Sequence, residues 1–326
     1  MNDEIRKYQK RVIEILQRDY FPEKENWLIM EQPVMKNNST RLDGVVIRKP
    51  YQRVSPTYYI NGYYADGYTE EATAQAIYES YTKEQNVNID VFEQVVNQIS
   101  CYEKMKDKIC YKLVNTEMNK DFLKDAPHLQ FNDEFSLCFY IQIEPDATIT
   151  IHNQFVNVWN LSKEKAVEEL YYTAERNMMR IHPPVLDNMA YVLGYVAELE
   201  GKEELEGFKQ MVESQFPLYV LTNEAKLFGA STIAYNNGQL LEACRQAIEK
   251  RTGQQVDSLV IVPSRVHEVM VMPAKDVEDF NELREMIRQM NVEEVKPDER
   301  LSNNIFGYSK EDGFVQLTFD NREISR

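Results

Sequence analysis

Apolar residues recur at spacings of three and four from the first turn of the chain: Ile5, Tyr8, Val12, Ile15 and Leu16 share one face. That period predicts an amphipathic helix, stopped before Pro22. Strand-like runs follow over 26–35 and 44–50, joined by the polar stretch KNNSTRLDG, in which Asp43-Gly44 can make a tight turn. The aromatic run PTYYINGYY, 56–64, predicts a third strand suited to a half-buried pleated surface. Helices are expected over 69–84 and 88–98.

From Cys101 the pattern gives a helical stretch and two strands, EFSLCFYIQI and ATITIHNQF. A helix then opens at Ser162 as N-cap and turns Val167, Leu170, Tyr171 and Ala174 inward. A further helix is expected from Asp187 to Leu199, and the acidic ELEGKEELEGFKQ reads as a solvated loop or frayed helix. PLYVLTN and KLFGASTIAY predict a hairpin, followed by a helix from Gln239 to Lys250 that stops before Gly253. Strands SLVIVP and VHEVMVMP come next. A helix opened by Asp276 shows Phe280, Leu283, Ile287 and Met290 on one face, and NIFGYS with FVQLTF form a last hairpin around KEDG.

Hairpins alternating with helices, without a Gly-rich strand-to-helix fingerprint, predict an α+β fold: antiparallel sheets with helices packed against them, in two or three lobes. The expected organisation is an N-terminal lobe, 1–98, carrying the Tyr-rich strand, and a C-terminal region, 99–326, with two similar sub-lobes at 99–200 and 214–326. The similarity rests on YKLVNTEMNKDF and YVLTNEAKLF, which share a tyrosine, an aliphatic pair and a Thr/Asn element.

Composition narrows the class. With 326 residues, 43% hydrophobic and 11% aromatic, the chain can fill real cores. A net charge of −16 disfavours a duplex nucleic-acid surface, and the basic RKYQKRV reads as the wet side of the first helix. No apolar run approaches the roughly 18–20 residues of a membrane span, and the N-terminus lacks a signal-peptide core, so a cytoplasmic protein without a membrane partner is expected. Cys101, Cys110, Cys138 and Cys244 form no CxxC pair and read as reduced thiols.

The candidate chemistry centres on VPSRVHEVMVMP. His267 and Glu268 do not complete HExxH, since residue 271 is Val, and strand alternation would point them apart. Ser264, Arg265 and His267 are the catalytic candidates of a hydrolase or metal-dependent enzyme sited near Pro263–Glu268; a turn-capping serine and a hydrogen-bonded structural histidine are the competing reading. His128, His152 and His182 sit in separate local contexts and could meet in space, with Asp133 beside them. No spacing supports a metal, a phosphate loop or any cofactor. Tyr58, Tyr59, Tyr63 and Tyr64 are candidate binding residues for another protein, because tyrosine presents a large amphipathic surface.

The strings RLDGVVI, SPTYYIN, KLVNTEMNKDFL, YVLTNEAKLFGAS, PSRVHEVMVMP and LSNNIFGYS, in that order and nearly end to end, resemble DUF5688, a family of uncharacterised bacterial proteins mostly from gut Clostridia. VWNLSKEKAVEELY and the later VPSR resemble a second uncharacterised bacterial family more weakly. The resemblance implies a soluble bacterial protein and carries no reaction; relatives similar to accessory genes of mobile elements suggest an anti-defence or regulatory role. A non-enzymatic protein-interaction or regulatory factor is therefore the expected function, ahead of the enzyme and of an acidic anti-defence inhibitor. The oligomeric state is not set by the sequence.

Overall fold

The computed structural model of the chain describes residues 3–22, 26–50, 55–84, 95–145, 147–162, 164–192 and 211–317. The chain divides into two compact units, Met1–Ser100 and Cys101–Arg326, and its sheets are antiparallel with helices against them, an α+β fold.

In the first unit, α1 (Asp3–Ile15) runs into a π-helical turn, Leu16–Tyr20, and buries Tyr8, Val12, Ile15 and Leu16. Strands β1 (Leu28–Met35), β2 (Arg41–Arg48) and β3 (Thr57–Tyr59) form a sheet in that order. The β1–β2 turn is made by Asn37–Ser39, with Asn38 and Ser39 at φ 57° and 54°, and not by Asp43-Gly44, which lies within β2. Gly44 is there for closeness: an added Cβ would stand 2.3 Å from Thr57 Cγ2 and 2.9 Å from the Gln32 carbonyl. Pro33 is tolerated because β1 is an edge strand.

The aromatic run is a strand only to Tyr59. Asn61 accepts the Asp43 N–H at 2.7 Å, closing the ladder, and the chain coils into α2 (Asn61–Ala65), which carries Tyr63 and Tyr64. Helix α3 (Glu70–Glu84) completes a core of Val12, Leu16, Ile29, Val45, Ile47, Ile60, Ala74 and Ile77. Burying each large aliphatic side chain contributes about 1.5–3 kcal/mol. Of the helix expected over 88–98, residues 95–98 are helical and the remainder lie outside the described residues.

In the second unit, β4 (Ile109–Asn115) pairs with β6 (Phe135–Glu144) along one edge. On the other edge of β6, β5 (His128–Gln130) and β7 (Ala147–Thr150) follow one another. Between β4 and β5 lies α4 (Lys120–Leu123); after β7 comes α5 (Asn153–Val158). Helix α6 (Ala166–Ile181) packs on β4, burying Leu170, Ala174 and Met178. It begins later than a Ser162 cap would place it: the Ser162 carbonyl accepts the N–H groups of Lys165 and Ala166, forming a separate turn ahead of the helix.

A six-stranded sheet has the order β13-β12-β10-β11-β9-β8. Its members are β8 (Pro184–Asn188), β9 (Tyr219–Asn223), β10 (Ser258–Val262), β11 (Val269–Pro273), β12 (Phe306–Ser309) and β13 (Gly313–Gln316). Asp187 and Asn188 are strand, paired with Val220 and Tyr219, and the helix expected from Asp187 opens two residues later: Met189–Val192 are helical, while 193–210, the acidic ELEGKEELEGFKQ among them, lie outside the described residues. This sheet draws on residues from both sides of a boundary at 200–214. KLFGASTIAY is not a strand: Gly229–Ala234 form a 3-10 helix, while β9 is flanked by β8 and β11. Between β9 and β10 runs α7 (Gln239–Thr252), ended by Gly253 at φ 67°. Helix α8 (Phe280–Glu293) covers Val260, Val262 and Ile305 through Ile287, and its cap is Asp279, which accepts the N–H groups of Asn281 and Glu282, and not Asp276.

Candidate functional site

The Pro263–Glu268 corner is a clamp made largely of backbone. Val266 accepts the Ala230 N–H at 3.2 Å and donates to Glu299 at 2.9 Å, while Ser264 accepts the Leu301 N–H at 2.9 Å. Arg265 forms a β-bridge with Arg300. Ser264 is 5% exposed, and no hydrogen bond among the described residues joins it to His267. The His267 carbonyl accepts the Thr222 hydroxyl at 2.7 Å, and its Nδ1 accepts the Phe228 N–H at 3.2 Å. Both lie ahead of β11, so the expected alternation of His267 and Glu268 along a strand does not arise.

The corner's histidine does lead into a larger arrangement. His267 stacks on Phe228, centroids 5.7 Å apart and planes within 12°. Phe228 meets Tyr140 edge-on at 5.3 Å, and the Lys112 ammonium lies 5.0 Å from the Phe228 centroid. The same ammonium is 5.9 Å from the centroid of Phe122, which meets His152 edge-on at 6.0 Å. Lys112 and His128 both stand opposite Cys138, one from each neighbouring strand, and directly opposed residues project on the same face. His182 Nε2 lies 2.8 Å from the Tyr140 hydroxyl. All four histidines thus gather around one face of the four-stranded sheet; Asp133 is exposed in the turn before β6.

The two similar strings are what build this face. Each forms a buried strand, β4 or β9, ending in a buried asparagine whose Oδ1 closes the next turn: Asn115 accepts the Met118 N–H at 3.0 Å, and Asn223 accepts the Leu227 N–H at 3.2 Å. Each string then delivers a phenylalanine, Phe122 or Phe228, and the two rings meet at Lys112. The shared pattern is visible in the sequence; that the phenylalanines of both copies approach the lysine of the first is not.

Beneath lies a neutral polar chain. Burial pushes the Cys110 thiol up to about 12 and raises the Tyr140 phenol well above its ordinary value; burial lowers His182 to about 4. His182 is 1% exposed, its Nε2 also meets Gln142 Oε1 at 3.1 Å, and its Nδ1 has no hydrogen-bond partner among the described residues. An ion pair between this thiol and imidazole, which a cysteine nucleophile requires, is opposed by both shifts. Among the described residues no group of three or more His, Cys, Asp or Glu could hold a metal ion.

The tyrosines of the first unit occupy different environments. Tyr58 is 8% exposed in the core, so its ring is not offered to a partner. Tyr64 packs edge-on against Tyr8 at 5.2 Å and donates to Glu4, and Tyr63 meets Tyr68 at 5.5 Å. Tyr59 is half-buried, with the Lys36 ammonium 4.6 Å from its centroid. No helix among the described residues is long and apolar enough to cross a membrane.

Neither a curated protein nor a solved structure matches the chain. The sequence profile of a family of unknown function does match, over residues 5–310, and the chain belongs to that family, DUF5688.

Proposed function

We propose that the protein works by binding another protein through the outer face of its N-terminal sheet, as a non-enzymatic interaction or regulatory factor. The observation that carries this reading is the apolar character of both faces of that sheet. Ile29, Val45, Ile47 and Tyr58 point into the core. The alternate positions, Leu28, Met30 and Val34 with Leu42, Val46 and Tyr59, form the other face, where Leu28 and Met30 are each 40% exposed. An apolar face of this kind, bordered by polar residues, is a feature of interaction sites. Arg48 and Lys36 add positive charge to it, which suits an acidic partner surface.

The enzyme alternative at Pro263–Glu268 has less support, because Ser264 and His267 are engaged in holding the backbone clamp and are not hydrogen-bonded to each other. An acidic inhibitor needs massed carboxylates, whereas Glu103, Glu117, Asp121 and Glu285 each pair with a lysine or arginine on the same surface.

The test is affinity capture from the native host's lysate with wild-type protein, Met30→Asp, and Met286→Asp as a control at a residue 60% exposed on α8. A stoichiometric partner held by wild type and Met286→Asp but lost from Met30→Asp supports the reading. A partner retained equally by Met30→Asp overturns it.

A further inference from the structure

We infer that the occupant of the N-terminal sheet's outer face is an acidic amphipathic helix of a partner protein, laid along the strands; the inference rests on the protein-binding reading above and specifies the partner's chemistry. The argument begins with the sheet's edges, which are closed to an added strand. Asp43 donates its N–H to Asn61 Oδ1 at 2.7 Å and accepts the Ile60 N–H at 3.0 Å, so both of its backbone groups turn toward β3. Residues opposed in an antiparallel ladder exchange both bonds or neither, so Pro33, opposite Asp43, turns its own backbone to the outside. Ile29 shares that parity. The outward row of β1 therefore lacks an N–H at Pro33, and its Ile29 carbonyl already accepts Gln17 Nε2 at 3.2 Å. An added strand needs an uninterrupted row of donors and acceptors, and β1 does not supply one. At the opposite edge, β3 is only three residues long. A partner is left with the face.

The dimensions of that face suit one helix. Its cross-strand rows are Met30–Val46–Thr57 and Gln32–Gly44–Tyr59. Gly44 stands at the middle of the second row without a side chain, and the Thr57 methyl leans into the space a Cβ would take, so the centre of the face is low. Three neighbouring strand axes span about 10 Å, the diameter of one helix, and eight-residue strands run for about 27 Å, the length of about 18 helical residues. The inner face of the same sheet already packs against α1 in this way.

Charge selects the kind of helix. Arg48 is exposed at one end of the face, opposite Leu28, and toward the other end the Lys36 ammonium lies over Tyr59. Among the described residues of β1, β2 and β3 whose side chains the register puts on this face, none is a carboxylate, although the chain as a whole carries −16. A second copy seated face to face would set these cations against the same cations. Opposite charge has to come from another surface, and glutamates flanking an apolar stripe supply it.

Two synthetic helical peptides of about 18 residues serve as probes. Both carry leucines at i, i+3, i+4 and i+7; the remaining surface is glutamate and alanine in one, lysine and alanine in the other. The full-length protein, labelled with 13C at its methionine methyls, is titrated with each at low salt, with Met30 reporting the face and Met286, exposed on α8, as the control. The expected result is saturable movement of the Met30 signal with the glutamate peptide, Met286 unmoved, and binding of the lysine peptide weaker by about tenfold or more. Arg48→Glu should weaken the glutamate peptide by about tenfold, and Arg48→Gln by less; the other methionine signals report that each variant is folded. Equal affinity for the two peptides, or an unchanged glutamate-peptide affinity in folded Arg48→Glu, would overturn the acidic partner. Absence of saturation with either peptide would overturn the helix, and the protein-binding reading would still stand if capture of a lysate partner depended on Met30. Sedimentation closes the remaining route: a dimer that Met30→Asp dissociates would make a second copy the occupant and overturn the inference.

Discussion

Phe228 and His267 hold one another in place: the Phe228 N–H donates to His267 Nδ1 at 3.2 Å while the two rings stack, and Phe228 adopts φ 51°. A left-handed conformation costs a non-glycine residue on the order of 1 kcal/mol, so the histidine offsets strain that the turn imposes. His267→Ala is expected to lower stability by about 1–2 kcal/mol through the lost hydrogen bond and ring contact. The measurement is urea unfolding, read as a lower midpoint at unchanged slope. An unshifted midpoint would show that the turn holds without the histidine.

Gly229 is the tightest point beside that pair. An added Cβ would stand 2.2 Å from Thr222 Oγ1 and 2.3 Å from the His267 carbonyl, whereas at Gly62 nothing lies within 4 Å. Gly229→Ala should cost about 2–4 kcal/mol by forcing β9 away from the corner. Gly62→Ala, on the exposed side of α2, should be neutral or stabilising by up to about 1 kcal/mol. Thermal melts of the two variants separate these outcomes, and equal melting temperatures would contradict the close contact.

His182 gives the fold a pH dependence of defined sign. Its pKa falls from 6.5 to about 4 on burial, so the unfolded chain binds the proton more readily. Its contribution is present above about 6.5 and is lost as pH falls toward 4, amounting to about 3 kcal/mol at the acid end. His182→Gln should flatten the stability profile between pH 6.5 and 5, above most carboxylate titration. A variant profile as steep as wild type in that interval would refute the assignment.

Three of the four thiols are shielded. Burial pushes Cys110, Cys138 and Cys244 up to about 12, and all three are buried, while Cys101 is exposed. At pH 8 a thiol reagent should modify Cys101 alone in the native protein and the other three only on unfolding. Rapid labelling of more than one equivalent would show that the Cys110–Tyr140–His182 chain opens to solvent.

The sequence by itself determined much of the local structure. Spacing along α1 gave its buried face, Gly253 marked the end of α7, and the strand pairs β10–β11 and β12–β13 followed from alternation and turn residues. These succeed because each depends on neighbours within a few positions. Where a local signal competed with pairing, tertiary structure decided. KLFGASTIAY has strand-like composition, yet β11 and β8 already occupy both edges of β9, so the segment coils into a 3-10 helix. The helix expected from Asp187 starts at Met189, because Val220 and Tyr219 take Asp187 and Asn188 as ladder partners. The candidate site was the least legible feature, because Lys112, Phe122, His152, Phe228 and His267 lie far apart along the chain. Their meeting depends on sheet register and on two turns closed by Asn115 and Asn223, which no local period encodes.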